Sequence, residues 1–380
     1  MPIFAYFLAA VMVLLVCGSN YYIARHLCAW LRQLAPGLPG FSTAVLWITL
    51  TALLVLGFAR SMLPVSDGVK NALRLAGSYW MGIFVYLLLF FLLADLAVVL
   101  LNLVHPLPQN ARFLAASAAL LLTLCTVTYG FVHARTFTHV SYDIPLKDGP
   151  EAGLRMVLVS DLHLGAVGSE ARLETLVQEI NALSPQVICI AGDLFDNDFD
   201  AIRDPEAAKA QLSALSADYG VYACWGNHDA GATFPRMEAF LRDCGITLLQ
   251  EEVTVVGGAI QLAGRADGFP IGGSDRPRGD WAQVAQQVRQ DLPLVVLDHN
   301  PAGIREYGAE TDLILSGHTH KGQLFPAGLV TRQLFTVDHG WYQQDQNSPQ
   351  VVVTSGAGTW GMPMRVGTDC EIVTLELSRK

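Results

Sequence analysis

Four long apolar runs, residues 2–23, 41–59, 79–101 and 113–132, come before any polar stretch of domain length. Each holds about 20 residues, which at about 1.5 Å per residue crosses a hydrocarbon core of about 30 Å. A surface helix of a soluble protein buries one face and keeps the other polar, so four such runs in succession restrict this part of the chain to membrane spans. Composition agrees: 52% of the residues are hydrophobic and only 15% charged, and the apolar excess sits before residue 137. The sequence therefore predicts a transmembrane domain of four helices over residues 1–137 and a second domain over 138–380. Residues 1–24 carry no Lys or Arg, so the first run lacks the basic start of a cleaved signal and is read as a span.

Four spans return the chain to the side on which it began. Arg25, Arg32 and Arg112 then share one side, while Arg60, Lys70, Arg74 and Arg135 lie on the other. By that margin the positive-inside rule predicts a multi-pass protein of the inner or plasma membrane with a cytoplasmic C-terminal domain. The seven cysteines show no paired spacing, which fits unpaired thiols in a reducing compartment. Trp30, Trp47 and Trp80 fall near span ends, where indole rings act as interfacial anchors. Asp95 lies within the third run. A carboxylate at that depth is costly and requires the interface or a polar partner from another span.

Beyond residue 137 the signals alternate. Residues 155–159, 187–191, 221–225, 292–297 and 313–316 read as buried strands. Residues 172–183, 206–215, 234–243 and 281–289 have helical spacing, and 253–264 with the late QVVVTS and CEIVTLEL read as further strand. The order predicts an α/β sandwich with sheets packed inside helices.

The strands end in the wrong kind of residue for a plain core. RMVLVSDLHLG ends in Asp161 and His163, VICIAGDLFD in Asp193 and Asp196, and VYACWGNHD in Asn227, His228 and Asp229. PLVVLDHNP ends in Asp298, His299 and Asn300, and DLILSGHTH in His318 and His320. In open α/β sheets ligands bind outside the carboxyl ends of the strands. A period of two aims Asp161 and His163 to one side, and His318 with His320, provided the strand conformation persists that far. Carboxylates crowded at one point repel one another, and a cation removes that cost. Asp, Asn and neutral His without thiolate suit manganese, iron or zinc better than calcium, whose sites are all oxygen. A lone HxH or Gly-Asp is weak evidence, since such residues also sit at core edges and in turns. Five in order within one domain are not weak.

The set DLH (161–163), GDLFD (192–196), GNHD (226–229), His299 in DHNP and GHTH (317–320) resembles the signature of the calcineurin-like metallophosphoesterases. The late SGAGTWGMPMRVG and CEIVTLEL are similar to the close of the domain in bacterial members. The resemblance implies a four-layer α/β/β/α sandwich and two divalent metal ions, with manganese the first choice and iron or zinc the alternatives. It places one ion on Asp161, His163, Asp193 and His320, and the second on Asp193, Asn227, His299 and His318, with Asp193 bridging. His228 would act near the leaving group, with Asp229 orienting it. Lys321 stands where the family often has a glycine and adds positive charge. The implied reaction is hydrolysis of a phosphoester or pyrophosphate bond by a hydroxide shared between the metals.

The spans point to membrane lipids as surroundings and to a lipid-linked substrate, for example the UDP-diacylglucosamine that family members hydrolyse. Phospholipid head groups, prenyl pyrophosphates and small soluble nucleotides or phosphoesters are the alternatives. The chain carries a net charge of −10, and the acidic excess falls in the second domain, a poor partner for nucleic acid polymers. A non-catalytic metal-bound membrane sensor predicts a missing ligand position, and every position is filled. No insertion after GNHD is long enough to grip a lipid, which leaves that role to the spans.

Overall fold

The computed structural model describes residues 2–59, 63–165, 170–274 and 276–380. Arg60, one of the loop charges counted above, lies outside the described residues. The chain divides into two compact units, Met1–Phe131 and Val132–Lys380.

The N-terminal unit is helical: α1 (Pro2–Leu34), α2 (Ser42–Phe58), α3 (Asp67–Val104) and α4 (Ala111–His133). Of these, α1, α3 and α4 are long and apolar enough to cross a membrane, and α2 is a shorter apolar helix of 17 residues. Large apolar side chains such as Leu14, Ile48, Leu96 and Leu124 point outward, where a soluble bundle would be polar. Ile23, Leu50, Leu54, Leu87 and Phe91 pack inside. Two of the three indoles hydrogen-bond to a neighbouring helix. Trp30 donates to Ser117 Oγ at 2.8 Å, Trp47 donates to the Cys17 carbonyl at 2.9 Å, and Trp80 is buried. Asp95 finds its partners on α1, accepting from the Tyr22 hydroxyl at 2.8 Å and lying 3.1 Å from His26 Nε2.

The second unit follows the alternation of its sequence: β1 (Phe137–Leu146), β2 (Leu154–Val159), α5 (Leu173–Ala182), β3 (Val187–Ala191), α6 (Pro205–Leu212), β4 (Val221–Cys224), α7 (Phe234–Asp243) and β5 (Thr247–Leu248). There follow β6 (Glu252–Val256), β7 (Ile260–Gly264), α8 (Trp281–Ala285), β8 (Leu294–Leu297), β9 (Leu313–Ser316), α9 (Gly328–Leu334), β10 (Gly340–Gln343), β11 (Gln350–Val353) and β12 (Cys370–Arg379). Helix starts follow local chemistry: the Asp204 carboxylate accepts from the Ala207 amide with Pro205 behind it, a cap and a residue preset for the first turn.

Two six-stranded sheets result, in the orders β1-β12-β2-β3-β4-β5 and β10-β11-β9-β8-β7-β6. Strands β2 to β5 run parallel, as do β7, β8, β9 and β11. Period-two alternation builds the layers. In β2, Val157 and Val159 face α5, α6 and α7, while Met156 and Leu158 face the other sheet. In the second sheet Val295 and Leu297 face inward, and Leu294 and Val296 face outward toward Trp281 and Val284 of α8. Helices, sheet, sheet and helix thus stack as a four-layer α/β/β/α sandwich.

Candidate metal centre

The loops leaving β2, β3, β4, β8 and β9 carry every candidate ligand, but not by continuing the strands. β2 stops at Val159 and β9 at Ser316. Asp161 (φ 55°), His163 (48°), Asp193 (51°), His318 (71°) and His320 (48°) all take left-handed backbone, so strand alternation does not aim them. Asp and His tolerate that region better than most residues, yet each such residue stores about 1 kcal/mol or more, a cost found where surrounding structure over-determines the site. Here the loops hold one another. The amides of Asp161 and His163 donate to the carbonyls of Gly192 and Asp193, both at 3.0 Å, and the amide of Gly317 donates to the His299 carbonyl at 3.0 Å. Two glycines allow the approach. A Cβ on Gly226 would lie 2.1 Å from Asp193 Oδ1, and one on Gly317 would lie 2.4 Å from Asp161 Oδ2.

Single ligand atoms from Asp161, His163 and His320 lie within 4.8 Å of one another, as do those from Asp193, His299 and His318. In the first group His163 Nε2 is 3.2 Å from His320 Nε2, which is 3.3 Å from Asp161 Oδ1. In the second, His299 Nε2 is 3.2 Å from Asp193 Oδ2 and 3.3 Å from His318 Nδ1, and Asn227 Oδ1 is 2.9 Å from that nitrogen. Asp193 Oδ2 is also 3.8 Å from His163 Nε2, so this carboxylate sits between the two groups.

These residues fit two divalent cations on their own chemistry. Asp161, His163, Asp193 and His299 are all buried, and no Lys or Arg pairs with either carboxylate among the described residues. His299 donates Nδ1–H to the Ala191 carbonyl at 2.8 Å, which fixes the tautomer and turns Nε2 inward. Burial lowers the His163 imidazole to about 3 against the pull of Asp193, and burial with the nearby His299 lowers His318 to about 4. Both rings are therefore neutral at pH 7 with a lone pair to offer. Burial works to raise Asp161 and Asp193, but His320 for the first and His299 for the second outweigh it and hold both carboxyls well below their ordinary range. The Ser160 hydroxyl and the His318 amide donate to Asp161. Facing imidazole nitrogens about 3.2 Å apart between two carboxylates are costly without a positive charge among them.

His228 stands at the edge of this group, its ring edge-on to His163 at 5.0 Å between centroids. Its amide donates to Asp193 Oδ1 at 2.8 Å, and its Nδ1 has no hydrogen-bond partner among the described residues. Asp229 does not orient that imidazole as the sequence led us to expect. Its carboxylate accepts from the amides of Gly226 (2.9 Å), Phe195 (2.9 Å) and Leu194 (3.3 Å), pinning the β3 and β4 loops together. Burial, with the nearby Asp193 charge, raises its carboxyl to about 7. The carboxylate nearest His228 Nδ1 is that of Asp196 at 3.6 Å, and it is 3.7 Å from His163 Nδ1. Asp298 turns away into a paired contact with Arg278 at 3.0 and 2.7 Å. Arg365 was not singled out by sequence. It is fully buried and donates to the carbonyls of Ser355 (2.7 Å), Gly358 (2.7 Å) and His320 (3.4 Å), fastening the last ligand's backbone.

The segment that carries these loops is similar to known proteins. Residues 154–322 match the calcineurin-like phosphoesterase family. The chain is 29% identical over 402 residues to a transmembrane protein with metallophosphoesterase domain of Danio rerio, over 98% of this chain and 89% of that one. It is 31% identical over 233 residues to an uncharacterised metallophosphoesterase of Helicobacter pylori, over 60% of each. It is 24% identical over 285 residues to the UDP-2,3-diacylglucosamine pyrophosphatase LpxG of Chlamydia trachomatis, over 59% of this chain and 83% of that one.

Proposed function

We propose that this chain, which belongs to the calcineurin-like metallophosphoesterases and is a metal-dependent phosphoester hydrolase, cleaves a phosphoester or pyrophosphate bond in a lipid-linked substrate. The observation that carries the lipid assignment is the apolar rim of the metal centre. Helix α9 buries none of its residues, and Leu329, Val330 and Leu334 are 55%, 57% and 72% exposed. It packs on the turn bearing His320: a Cβ on Gly322 would lie 2.3 Å from the Gly328 amide nitrogen. Exposed Trp360 approaches the His228 ring at 6.0 Å and exchanges hydrogen bonds with Gln323 beside the same turn, and exposed Ile271 donates its amide to the Asn227 carbonyl at 2.8 Å. Exposed apolar side chains gathered around a polar centre mark a surface for lipid or apolar ligand. Each is about half exposed or more, so covering it with an acyl chain contributes about 1–2 kcal/mol. A small soluble ester would use none of it.

On this reading Asp161, His163, Asp193 and His320 would hold one divalent ion and Asp193, Asn227, His299 and His318 the other, with manganese as the ion. When bound, two such ions supply charge for the phosphoryl oxygens and lower the pKa of water toward neutrality. His228, with Nδ1 unengaged, carries a proton to the departing oxygen, and Asp196 is the carboxylate placed to support its charge. Asp229 acts as a positioning residue through the backbone. The substrate named for the Chlamydia relative, a nucleotide-linked diacyl glycolipid, has the required chemistry: a pyrophosphate beside two acyl chains. The loop charges favour a cytoplasmic face for this unit.

The test uses the full chain in detergent, loaded with Mn²⁺, on UDP-diacylglucosamine and on an aryl phosphodiester. Serine at Leu329, Val330 and Leu334 together should lower kcat/KM for the glycolipid about tenfold or more and leave the aryl ester within about twofold. Equal turnover of the glycolipid by the triple variant and the wild type would remove the lipid assignment and leave a phosphoesterase of small soluble substrates.

A further inference from the structure

The N-terminal unit contains a cavity of about 470 Å³ where the later turns of α1 and α3 meet the start of α4. Arg25, His26 and Trp30 of α1, Asp95 of α3, and Arg112 and Phe113 of α4 face it. We infer that this cavity binds the phosphate-bearing head group of an anionic membrane lipid, at a site separate from the metal centre.

The charge balance selects the ligand. Asp95 is the one carboxylate among the described lining residues, and its Oδ2 is already occupied by the Tyr22 hydroxyl and by His26. Neither the Arg25 nor the Arg112 guanidinium has a hydrogen-bond or ion-pair partner among the described residues. Two guanidiniums from different helices facing one cavity call for an anion with several acceptor oxygens, and phosphate provides that geometry. The walls select a lipid over a free anion. The Trp30 and Phe113 rings lie parallel at 6.2 Å, and the indole is fixed by its bond to Ser117. His26 stacks on buried Phe91 at 4.9 Å. Inorganic phosphate would leave these apolar walls in water, and a neutral lipid would leave two positive charges unmatched. An anionic lipid satisfies both, as basic pockets between membrane helices do. The volume lies in the range of small-ligand sites, about 300–1,000 Å³.

The experiment measures equilibrium binding of fluorescent short-chain phosphatidylglycerol, of its phosphatidylcholine counterpart, and competition by inorganic phosphate, on the full chain in neutral detergent. Phosphatidylglycerol should bind about tenfold tighter than phosphatidylcholine or more, with weak competition from phosphate. Arg25→Gln with Arg112→Gln should remove most of that preference while hydrolysis of an aryl phosphodiester continues. Asp95→Asn, which deletes the opposing charge, should strengthen phosphatidylglycerol binding and serves alone if the double variant fails to fold. Arg32→Gln should change nothing, because that guanidinium lies outside the cavity and donates to Thr43 and Gly40. Equal affinity for the two lipids, or anionic-lipid binding that Asp95→Asn leaves unchanged or weaker, would overturn the inference. Phosphate binding as tightly as the lipid would replace it with a soluble-anion site. Since the readout is binding, failure here leaves the catalytic reading untouched, and loss of catalysis leaves this one standing.

Discussion

Alanine at position 226 is the sharpest mechanical probe of the centre. Its methyl carbon would begin 2.1 Å from Asp193 Oδ1, 2.4 Å from the Asp193 amide nitrogen and 2.8 Å from Asp193 Cγ. Ordinary carbon–oxygen contact lies beyond 3 Å, so the carboxylate must withdraw by about 1 Å, and the amide, being backbone, cannot move alone. The same oxygen accepts the His228 amide at 2.8 Å, so that bond lengthens too. Overpacking of this kind costs about 1–3 kcal/mol of stability, a drop of several degrees in the unfolding midpoint. The catalytic effect is larger, since a displacement of about 1 Å in a reacting group costs about a hundredfold in rate. Gly226→Ala should therefore stay folded with kcat/KM on an aryl phosphodiester reduced about a hundredfold and with weakened metal binding. Gly268→Ala is the control: its Cβ meets only Arg278 Cδ at 3.7 Å, and activity should be unchanged. Wild-type turnover by Gly226→Ala would refute the placement of Asp193 at the centre of the site.

Two further substitutions test the supporting structure. Arg365→Met keeps the length of the side chain but strips donors from four carbonyls, those of His320, Ser355, Gly356 and Gly358, so stability should fall by about 2 kcal/mol or more in thermal unfolding, with metal affinity falling alongside. Unchanged metal affinity would sever Arg365 from the His320 ligand. Burial works to raise the Glu371 carboxyl from 4.5, but His339, at 2.6 Å, and the Ser355 amide outweigh it and hold the folded value lower. A depressed carboxyl contributes stability that is complete above the unfolded value and is lost as pH falls through the folded one. The stability difference between wild type and Glu371→Gln should therefore be full at pH 7 and shrink below about pH 4.5, and a gap that is constant with pH would contradict that reading.

Much of this fold lies open in the sequence because its strands are buried on both faces. Runs such as VICIA and LILS have few other destinations than a sheet interior, and helix 234–243, with Met237, Phe240 and Leu241 on one side, matches its spacing. The candidate ligands were legible because Asp, Asn and His recur where apolar runs end. Their aim was not, since left-handed backbone at Asp161, His163 and His320 reflects contacts between loops far apart in the chain. The edge strand β1 escaped because FTHVSYDIPL mixes polar and apolar residues and pairs with β12, more than 200 residues away. Helix α9 escaped for another reason: seven residues without a side-chain cap or a buried face leave no amphipathic stripe to read. Arg365, in the apolar setting MPMRVG, had one faint signal, a charge where a core residue was due.

Metal content and turnover of one preparation test the central claim most directly. The full chain, stripped with chelator and reloaded with Mn²⁺, should regain aryl phosphodiesterase activity and hold two ions per chain by elemental analysis. Asp193→Asn should retain neither the activity nor the full metal complement, because that carboxylate lies between the two groups of ligands. Activity that survives complete stripping, or an Asp193→Asn protein with both ions and wild-type turnover, would contradict a two-metal phosphoesterase built on these residues.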